Sequence, residues 1–537
     1  MQGLLDTLEE GARERPDEAV LHFVEDSLGA TRTVGWAELR DMSLRAMGAY
    51  REAGLLPGQR VVLSLPTSPE LVAGLLGAFR AGLHPAIVAP LSARRGTMAA
   101  AELQTVIDQL RPDAVIGIEH GRPGTMTLEA DALLRTPGRA EDEALGTTLV
   151  AQSCYVQFSS GSTGLPKGLE LPPEGIAANL EMMRHAIPMP ADDHVVSWLP
   201  MYHDMGLFGT LLLAIWSRAQ VTLMDPSLFV RNPLLWLRTI QRQRSTITAC
   251  PPSAVAAVLA LLSRRPQDDL DLSTCTRFIC GAEQVTPTLV RDFREVMPRY
   301  GVSPDALKPV YGLAETTLAV SMPPHDRGQV VHEKEVGGAR EWVSVGRALD
   351  GLVVELRDET GAVVDEGEVG RLFVKGPCLY RARIEAGVAT AREEEWLDTG
   401  DLAFRAGDEY CICGRVKDII IQGGRNYTPE RIEELATVTD GVLRGAAFGV
   451  HDPRRQTERV VLACEVHPRV ARDAAARDTL RLELRRGLKA AGYDVDEILL
   501  TTRGALPLTT SGKIRRAACR ELVLSGELPR ADVREAG

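Results

Sequence analysis

The sequence predicts an α/β protein: a large N-terminal domain of helix-covered, mostly parallel sheets with a small β subdomain, followed by an α+β C-terminal domain. Three observations carry this expectation. The 537 residues exceed the roughly 250–300 at which one hydrophobic core stops growing, so more than one domain is required. From about Gly58, short apolar, β-branched runs alternate with longer segments of 3.6-residue periodicity, the pattern of βαβ units. After about Glu315 short alternating strands with turns take over, and from about Gly414 strands and helices alternate once more.

Taken in order, RVVLSLP precedes SPELVAGLLGAFRAG, HVVSWLP precedes GLFGTLLLAIW, QVTLMDP precedes NPLLWLRTIQRQ, and STITACPP precedes SAVAAVLALLSRR. Each pair reads as a strand and its helix, and parallel strands joined this way are covered by helices on both faces. The alternation in LVVELRDETGAVVDEGEVGRLFVKGP marks a β-rich subdomain at about 320–413, inside an N-terminal domain of 1–413. Over 414–537 the strands KDIIIQG, AAFGV and ERVVLACEV alternate with the helices PERIEELA and ARDTLRLELRRGLKAAG.

Composition narrows the function. Aspartate and glutamate number 73 against 61 lysines and arginines, for a net charge of −12 and a pI near 5.5. That balance argues against general nucleic-acid binding and for small molecules or proteins as partners. The opening MQGLLDTLEEGARERPDEAV lacks the basic start and apolar run of a signal peptide and is too acidic for a transit sequence, so a cytoplasmic location is expected. The apolar stretches GTLLLAIW and AVAAVLALL fall far short of the roughly 20 residues that span a bilayer. Nine cysteines are scattered, and the pair Cys411 and Cys413 has no second cluster at zinc-site spacing, so they are expected to be reduced core residues. Only seven of the 61 cations are lysines, namely Lys167, Lys308, Lys334, Lys375, Lys417, Lys489 and Lys513. An ammonium and a guanidinium do different work, so each lysine carries information.

The segment YVQFSSGSTGLPKG, residues 155–168, starts as a strand and runs into hydroxyls, glycines and Lys167 before an expected helix at PPEGIAANLEMMRHA. Glycines admit a ligand close to the backbone, hydroxyls and amides donate to phosphate oxygens, and Lys167 adds a mobile positive charge. A Walker A loop is excluded, because Gly168 follows Lys167 where that motif needs serine or threonine.

SSGSTGLPKG is followed in order by WLPMYHDMG, FICGAEQV, VYGLAETT, LDTGDLAF, GRVKDIII and LPLTTSGKIRR. This series resembles the adenylate-forming superfamily of acyl-CoA synthetases, luciferases and peptide-synthetase adenylation domains. WLPMYHDMGL, the GAE triplet, YGLAETTLAVS and GRNYTPERIEE resemble its fatty-acyl-AMP ligase branch most closely. The resemblance runs from about residue 20 to 520.

The resemblance implies an ATP-dependent ligase that turns a hydrophobic carboxylic acid into its acyl-AMP, releases pyrophosphate, and passes the acyl group to a thiol. It implies ATP and Mg²⁺ as cofactors. By resemblance, Ser159, Ser160, Gly161, Ser162, Thr163, Gly164 and Lys167 would cradle the β- and γ-phosphates, and Glu315 would bind Mg²⁺ as a hard oxygen ligand. Gly281, Ala282 and Glu283 would line the adenine, with Tyr311 and Gly312 beside it. Asp401 would accept from the ribose hydroxyls, and Arg415 would reach the ribose or phosphate. His203 would lie near the acyl pocket and the reacting carboxylate. Lys513 would swing in on a polar loop of a mobile C-terminal domain to bridge the carboxylate and the α-phosphate, with Lys417 at the hinge. Trp198, Met201, Met205, Phe208 and Trp236 fit either a pocket or plain core.

In the resemblance, fatty-acyl-AMP ligases carry an extra segment after YGLAE that restrains the C-terminal domain and disfavours coenzyme A. Only residues 316–345 separate YGLAE from GRALDG here, so that segment reads as short or absent. The acceptor stays open between an acyl carrier protein's phosphopantetheine, which is favoured, and coenzyme A, which would make the protein a complete acyl-CoA synthetase. A reading of another class, a non-catalytic nucleotide-binding protein, is opposed by intact Lys167, Glu315, Asp401 and Lys513. No GxSxG elbow stands at a strand-to-helix turn, which excludes a serine hydrolase of that type.

Overall fold

The computed structural model describes residues 2–90, 96–118, 124–137, 145–146, 148–159, 166–455, 457–509 and 512–531. Two compact units emerge: Met1–Gln329 with Val345–Val353 and Val374–Leu397, and Val330–Ser344 with Val354–Phe373 and Asp398–Gly537.

In the first unit a seven-stranded sheet runs in the order Leu307–Pro309, Arg277–Cys280, Ile247–Cys250, His194–Ser197, Gln220–Met224, Ala19–Val24, Thr31–Gly35. Every neighbouring pair is parallel except the last. The chain builds this sheet by one repeated device, since the helices Pro226–Arg231, Pro233–Gln243, Pro252–Arg264 and Pro287–Val296 each open on proline. Proline's fixed φ and missing N–H suit the first helical turn. Asp225 and Thr286 add side-chain caps, accepting from Ser227 N–H at 2.9 Å and Leu289 N–H at 3.2 Å.

A second sheet, all parallel, orders His84–Ile87, Arg60–Leu63, Ala114–Ile116 and Met126–Leu128. Its helix Pro69–Arg80 is buried along its whole length and packs on helix Trp36–Glu52. The contact is close at Gly77, where a Cβ would stand 2.5 Å from Ala46 Cβ and 2.7 Å from Met47 N.

A third sheet is antiparallel: Val388–Ala391, Ala382–Glu385, Lys167–Leu171 and Tyr155–Ser159. Here the structure departs from expectation. The phosphate-loop segment does not pass directly from strand to helix, because Lys167–Leu171 forms a second strand before helix Pro173–Ala186 begins. The strands that flank the loop pair with each other, Ser159 opposite Lys167. Leu169 and Leu171 are buried, and a strand with two paired neighbours hides them better than an early helical turn. A second departure is the helix expected over GLFGTLLLAIW, where Leu207–Leu212 takes π form between Asp204–Gly206 and Leu213–Trp216. The Thr210 hydroxyl donates to Gly206 O and fills part of the altered ladder.

The second unit contains the hairpin Val331–Val336 and Ala339–Val343 and a four-stranded sheet of Val353–Arg357, Gly370–Lys375, Leu397–Ala406 and Glu409–Arg415. It also contains the three-stranded sheet Val442–Asp452, Thr457–Val466 and Glu497–Thr501. Helices Pro429–Thr437 and Ala474–Ala490 close that sheet's core through Ile432, Leu480 and Leu484. All nine cysteines are buried and unpaired, and burial pushes the thiols of Cys154, Cys378, Cys411, Cys464 and Cys519 up to about 12. Among the described residues no helix is long and apolar enough to cross a membrane.

The Gly77 contact yields a test of packing. Gly77→Ala forces backbone and Cβ apart across two buried helices and is expected to cost about 1–3 kcal/mol of stability, read as a lower thermal midpoint. Gly487→Ala, in helix Ala474–Ala490 with nothing near its Cβ, is expected to be neutral or stabilising by up to about 1 kcal/mol.

Candidate active site

Parallel strands leave their loops at a common edge, and the motif residues stand on it. His194–Ser197 leads to Trp198 and His203, Arg277–Cys280 leads to Gly281, Ala282 and Glu283, and Leu307–Pro309 leads to Tyr311, Gly312 and Glu315. Gly281 N–H donates to Cys250 O at 3.3 Å and Val310 N–H to Cys280 O at 2.9 Å, so the carboxyl ends of three strands stay level.

The GAE triplet is shaped by backbone geometry. Ala282 has φ of +72°, a region that residues with a Cβ seldom enter. The Glu283 carboxylate accepts from Ser253 N–H at 3.0 Å and from the Ser253 hydroxyl at 3.1 Å. It thereby caps helix Pro252–Arg264, whose own Pro251 offers no side-chain acceptor.

Glu315 sits in a closed loop. Leu313 N–H donates to Leu318 O at 2.8 Å, and Leu318 N–H donates to Thr316 O at 2.8 Å. The second bond closes a γ-turn on Thr317, whose φ of +68° and ψ of −60° belong to the rare, strained form. A β-branched residue held there costs about 1–3 kcal/mol unless its surroundings enforce it. They do so here. The Thr317 hydroxyl donates to Cys378 O at 3.0 Å, and Tyr380 N–H donates to Glu315 O at 2.9 Å. Gly312 permits the loop to close, since a Cβ there would lie 2.0 Å from Leu318 O.

Lys167 stands at the root of the phosphate hairpin, and its Nζ lies 3.0 Å from Glu385 Oε1 on the adjoining strand. Ser159 closes the opposite strand, while Ser160, Gly161, Ser162, Thr163 and Gly164 lie outside the described residues. The hairpin is tied to the sheet edge by Gln157, which is buried and donates through Nε2 to Tyr202 O at 3.1 Å. His203 follows directly. Its Nδ1 lies 2.7 Å from Asp204 Oδ1, which also accepts from Met205 N–H at 2.7 Å, and this contact orients the ring just ahead of the π segment. Trp198, Met201, Met205, Phe208 and Trp236 are all buried, with Trp198 stacked on Phe229 at 3.8 Å between ring centres.

The second unit holds the remaining residues. Asp401 and Arg415 are paired across two antiparallel strands, with Arg415 Nε 2.9 Å from the buried Asp401 carboxylate. Lys417 is exposed on the turn Val416–Asp418. Lys513 is exposed on a small hairpin closed by the bridge between Leu508 and Ile514.

Sequence reasoning missed Glu385, Gln157 and Thr317. Glu385 acts on a lysine more than two hundred positions earlier, and no local pattern announces that pairing. The unusual φ of Thr317 is equally invisible in a run of small residues. Thr317→Val leaves the buried Cys378 carbonyl without its donor, and is expected to cost about 1–3 kcal/mol, read by thermal unfolding of the intact protein.

Comparison with known proteins agrees with this geometry. The family described as AMP-binding enzyme matches residues 8–382. The long-chain-fatty-acid–AMP ligase FadD23 of Mycobacterium tuberculosis is 28% identical, over 97% of this chain and 96% of that one. A Caulobacter vibrioides protein, named provisionally as an acyl-CoA synthetase, is 30% identical over 91% of this chain and 90% of that one. A structure solved in studies of fatty acyl-adenylate ligases from E. coli and L. pneumophila superposes with a TM-score of 0.85 at 26% identity, covering 97% of this chain and 98% of that one. The ordered motifs, the parallel sheet that carries them and a family match over most of the length lead to one conclusion: the chain belongs to the AMP-binding enzymes and is an adenylate-forming ligase.

Proposed function

We propose that this ligase activates a hydrophobic carboxylic acid with ATP and delivers the acyl group to an acyl carrier protein. A carboxylate oxygen attacks the α-phosphorus, the bond to the bridging β-phosphate oxygen breaks, and pyrophosphate leaves. A thiol sulfur then attacks the acyl carbon, and AMP departs with the bonding pair. The observation that carries this reading is the row of His203, Ala282, Tyr311 and Glu315 along one sheet edge, tied through Gln157 to the hairpin that bears Lys167.

The chemistry asks for neutralised charge more than for an acid or base, because a carboxylate is already a nucleophile and must approach a polyanion. Lys167, with Ser159, Ser160, Gly161, Ser162, Thr163 and Gly164, holds the β- and γ-phosphates. Glu315 fits Mg²⁺, which takes one or two carboxylates and completes its shell with phosphate oxygens and water. The ion would neutralise phosphate charge. Gly281, Ala282, Glu283, Tyr311 and Gly312 flank the adenine, and Asp401, aligned by Arg415, receives the ribose hydroxyls. His203 orients the acid's carboxylate, and the buried apolar side chains around its turn favour a hydrophobic acid. The segment 414–537 turns about Lys417 to bring Lys513 to the carboxylate and α-phosphate.

The carrier protein is favoured over coenzyme A by the hairpin between YGLAE and GRALDG. That interval is short in sequence, yet it folds as Val331–Val336 and Ala339–Val343, and its turn engages the C-terminal segment. Tyr493 OH donates to Gly337 O at 3.3 Å. A Cβ on Gly337 would meet Thr428 at 3.1 Å, so the turn is fitted to that surface. A hairpin seated there opposes the rotation that a coenzyme A site requires.

Two measurements test this reading. Lys513→Ala is expected to lower pyrophosphate exchange into ATP by about 10²–10³-fold with the thermal midpoint unchanged, and exchange at the parental rate would refute the role given to Lys513. In a single-turnover assay with acid, ATP and Mg²⁺, acyl-AMP is expected to persist when coenzyme A is added and to be consumed by a phosphopantetheinylated carrier protein. Rapid acyl-CoA formation would make the protein a complete acyl-CoA synthetase.

A further inference from the structure

One residue after the hinge lysine and three after the loop lysine stand Asp418 and Arg516, members of a concentrated charge cluster in the second unit. Arg516 opens helix Arg516–Ser525 and is largely buried, its side chain 17% exposed. Its Nη1 lies 2.9 Å from Asp418 Oδ2 and 2.7 Å from Glu430 Oε1. Nε and Nη2 grip the two oxygens of Glu433 at 2.8 and 2.7 Å, the fork geometry only a guanidinium provides. Glu433 Oε1 also accepts from Ala447 N–H at 2.9 Å, which carries the connection into strand Val442–Asp452.

The two ends of this cluster lead to the two lysines. Asp418 is the last residue of the turn Val416–Asp418 and the neighbour of Lys417. On the other side, Arg515 N–H donates to Pro507 O at 2.9 Å and closes the stem of the Lys513 hairpin. Inside that stem Thr509 N–H donates to Lys513 O at 2.7 Å, and Lys513 N–H donates to Thr509 Oγ1 at 3.0 Å. The stem of the hairpin is therefore held by its own bonds, and Arg516 is where its base is fastened.

We infer that Arg516 is a positioning residue for adenylation, clamping the Lys513 hairpin to the hinge turn through Asp418 and to helix Pro429–Thr437 through Glu430 and Glu433, so that hinge and ammonium move as one body. The inference rests on the reading of Lys513 given above. A swung ammonium must arrive at a defined point, and misplacement by an ångström costs about 10²-fold in rate. Three carboxylates around one cation also make the clamp specific: they repel one another unless the guanidinium stands between them.

The test uses the full-length enzyme and pyrophosphate exchange. Arg516→Lys keeps the charge and loses the fork. It is expected to lower kcat about tenfold, with KM for ATP and for the acid within about twofold and the thermal midpoint within a few degrees. Asp418→Asn is expected to reproduce part of that loss and to add little to Arg516→Lys. In a Lys513→Ala background Arg516→Lys is expected to cause no further loss. Parental kcat in folded Arg516→Lys, while Lys513→Ala shows its expected loss, overturns the clamp alone. An equal further loss in the Lys513→Ala background also overturns it, because the effect would then bypass the lysine. Parental exchange in Lys513→Ala overturns the reading beneath it. Should Arg516→Lys fail to fold, folded Asp418→Asn decides the matter: parental kcat refutes the clamp, and a selective kcat loss that vanishes in Lys513→Ala upholds it.

Discussion

The backbone bonds from Gly281 to Cys250 and from Val310 to Cys280 hold neighbouring parallel strands so that they end at one level. Much of the first unit's chemistry depends on that registration. Residues leaving each strand emerge on the same side, so segments far apart in sequence become neighbours without long-range recognition of their own. The proline-headed helices Pro226–Arg231 and Pro252–Arg264 start directly after their strands and take the chain back along the sheet, so their first turns stand at the carboxyl edge beside the motif residues, where Glu283 caps one of them.

The edge alone does not aim the side chains, and local strain does the rest. Thr317 in a γ-turn and Ala282 at positive φ stand beside the residues proposed for metal and adenine. Each departs from the preferred backbone of an L residue; Thr317 is held by its bond to Cys378 O, and Ala282 stands between Gly281 and Glu283, both of which are hydrogen-bonded to neighbouring segments. The loop around Glu315 is fastened to Cys378 and Tyr380, and a few residues on, Glu385 fastens Lys167. One short segment thus serves the phosphate hairpin and the acidic turn together.

Much of this was legible in sequence. Strand and helix pairs such as RVVLSLP with SPELVAGLLGAFRAG and STITACPP with SAVAAVLALLSRR fold as read, because apolar periodicity and proline placement are local signals. The strand Lys167–Leu171 was not legible as a strand, because its glycine, glutamate and leucines gain strand form from pairing with Tyr155–Ser159 on one side and with Ala382–Glu385, two hundred residues later, on the other. The π segment at Leu207–Leu212 was hidden for a similar reason, since its composition is that of any buried helix. Glu385 lies outside every quoted motif, and Gln157 and Arg516, although inside quoted segments, act through partners that a linear reading does not connect.

The scarcity of lysine gains a narrower meaning from the structure. Lys308 is buried and donates to Arg327 O at 2.5 Å, with desolvation pulling its ammonium below the ordinary lysine range. Lys375 pairs with Glu395, and Lys334 stands 5.6 Å over the Phe404 ring. Lysine therefore also survives at positions outside the proposed site, so rarity by itself does not mark catalysis. What does separate the roles is the contrast within one short stretch of the C-terminal segment. Arg516 is buried with three carboxylates in fixed geometry, where a planar fork loses little entropy per bond. Lys513, three residues before it, is exposed at a bonded hairpin stem and carries a flexible four-carbon side chain. Exchanging the two would leave a loose cation among the carboxylates and a rigid, broad one at the hairpin, so the order of the two residues follows from the different work asked of anchor and probe.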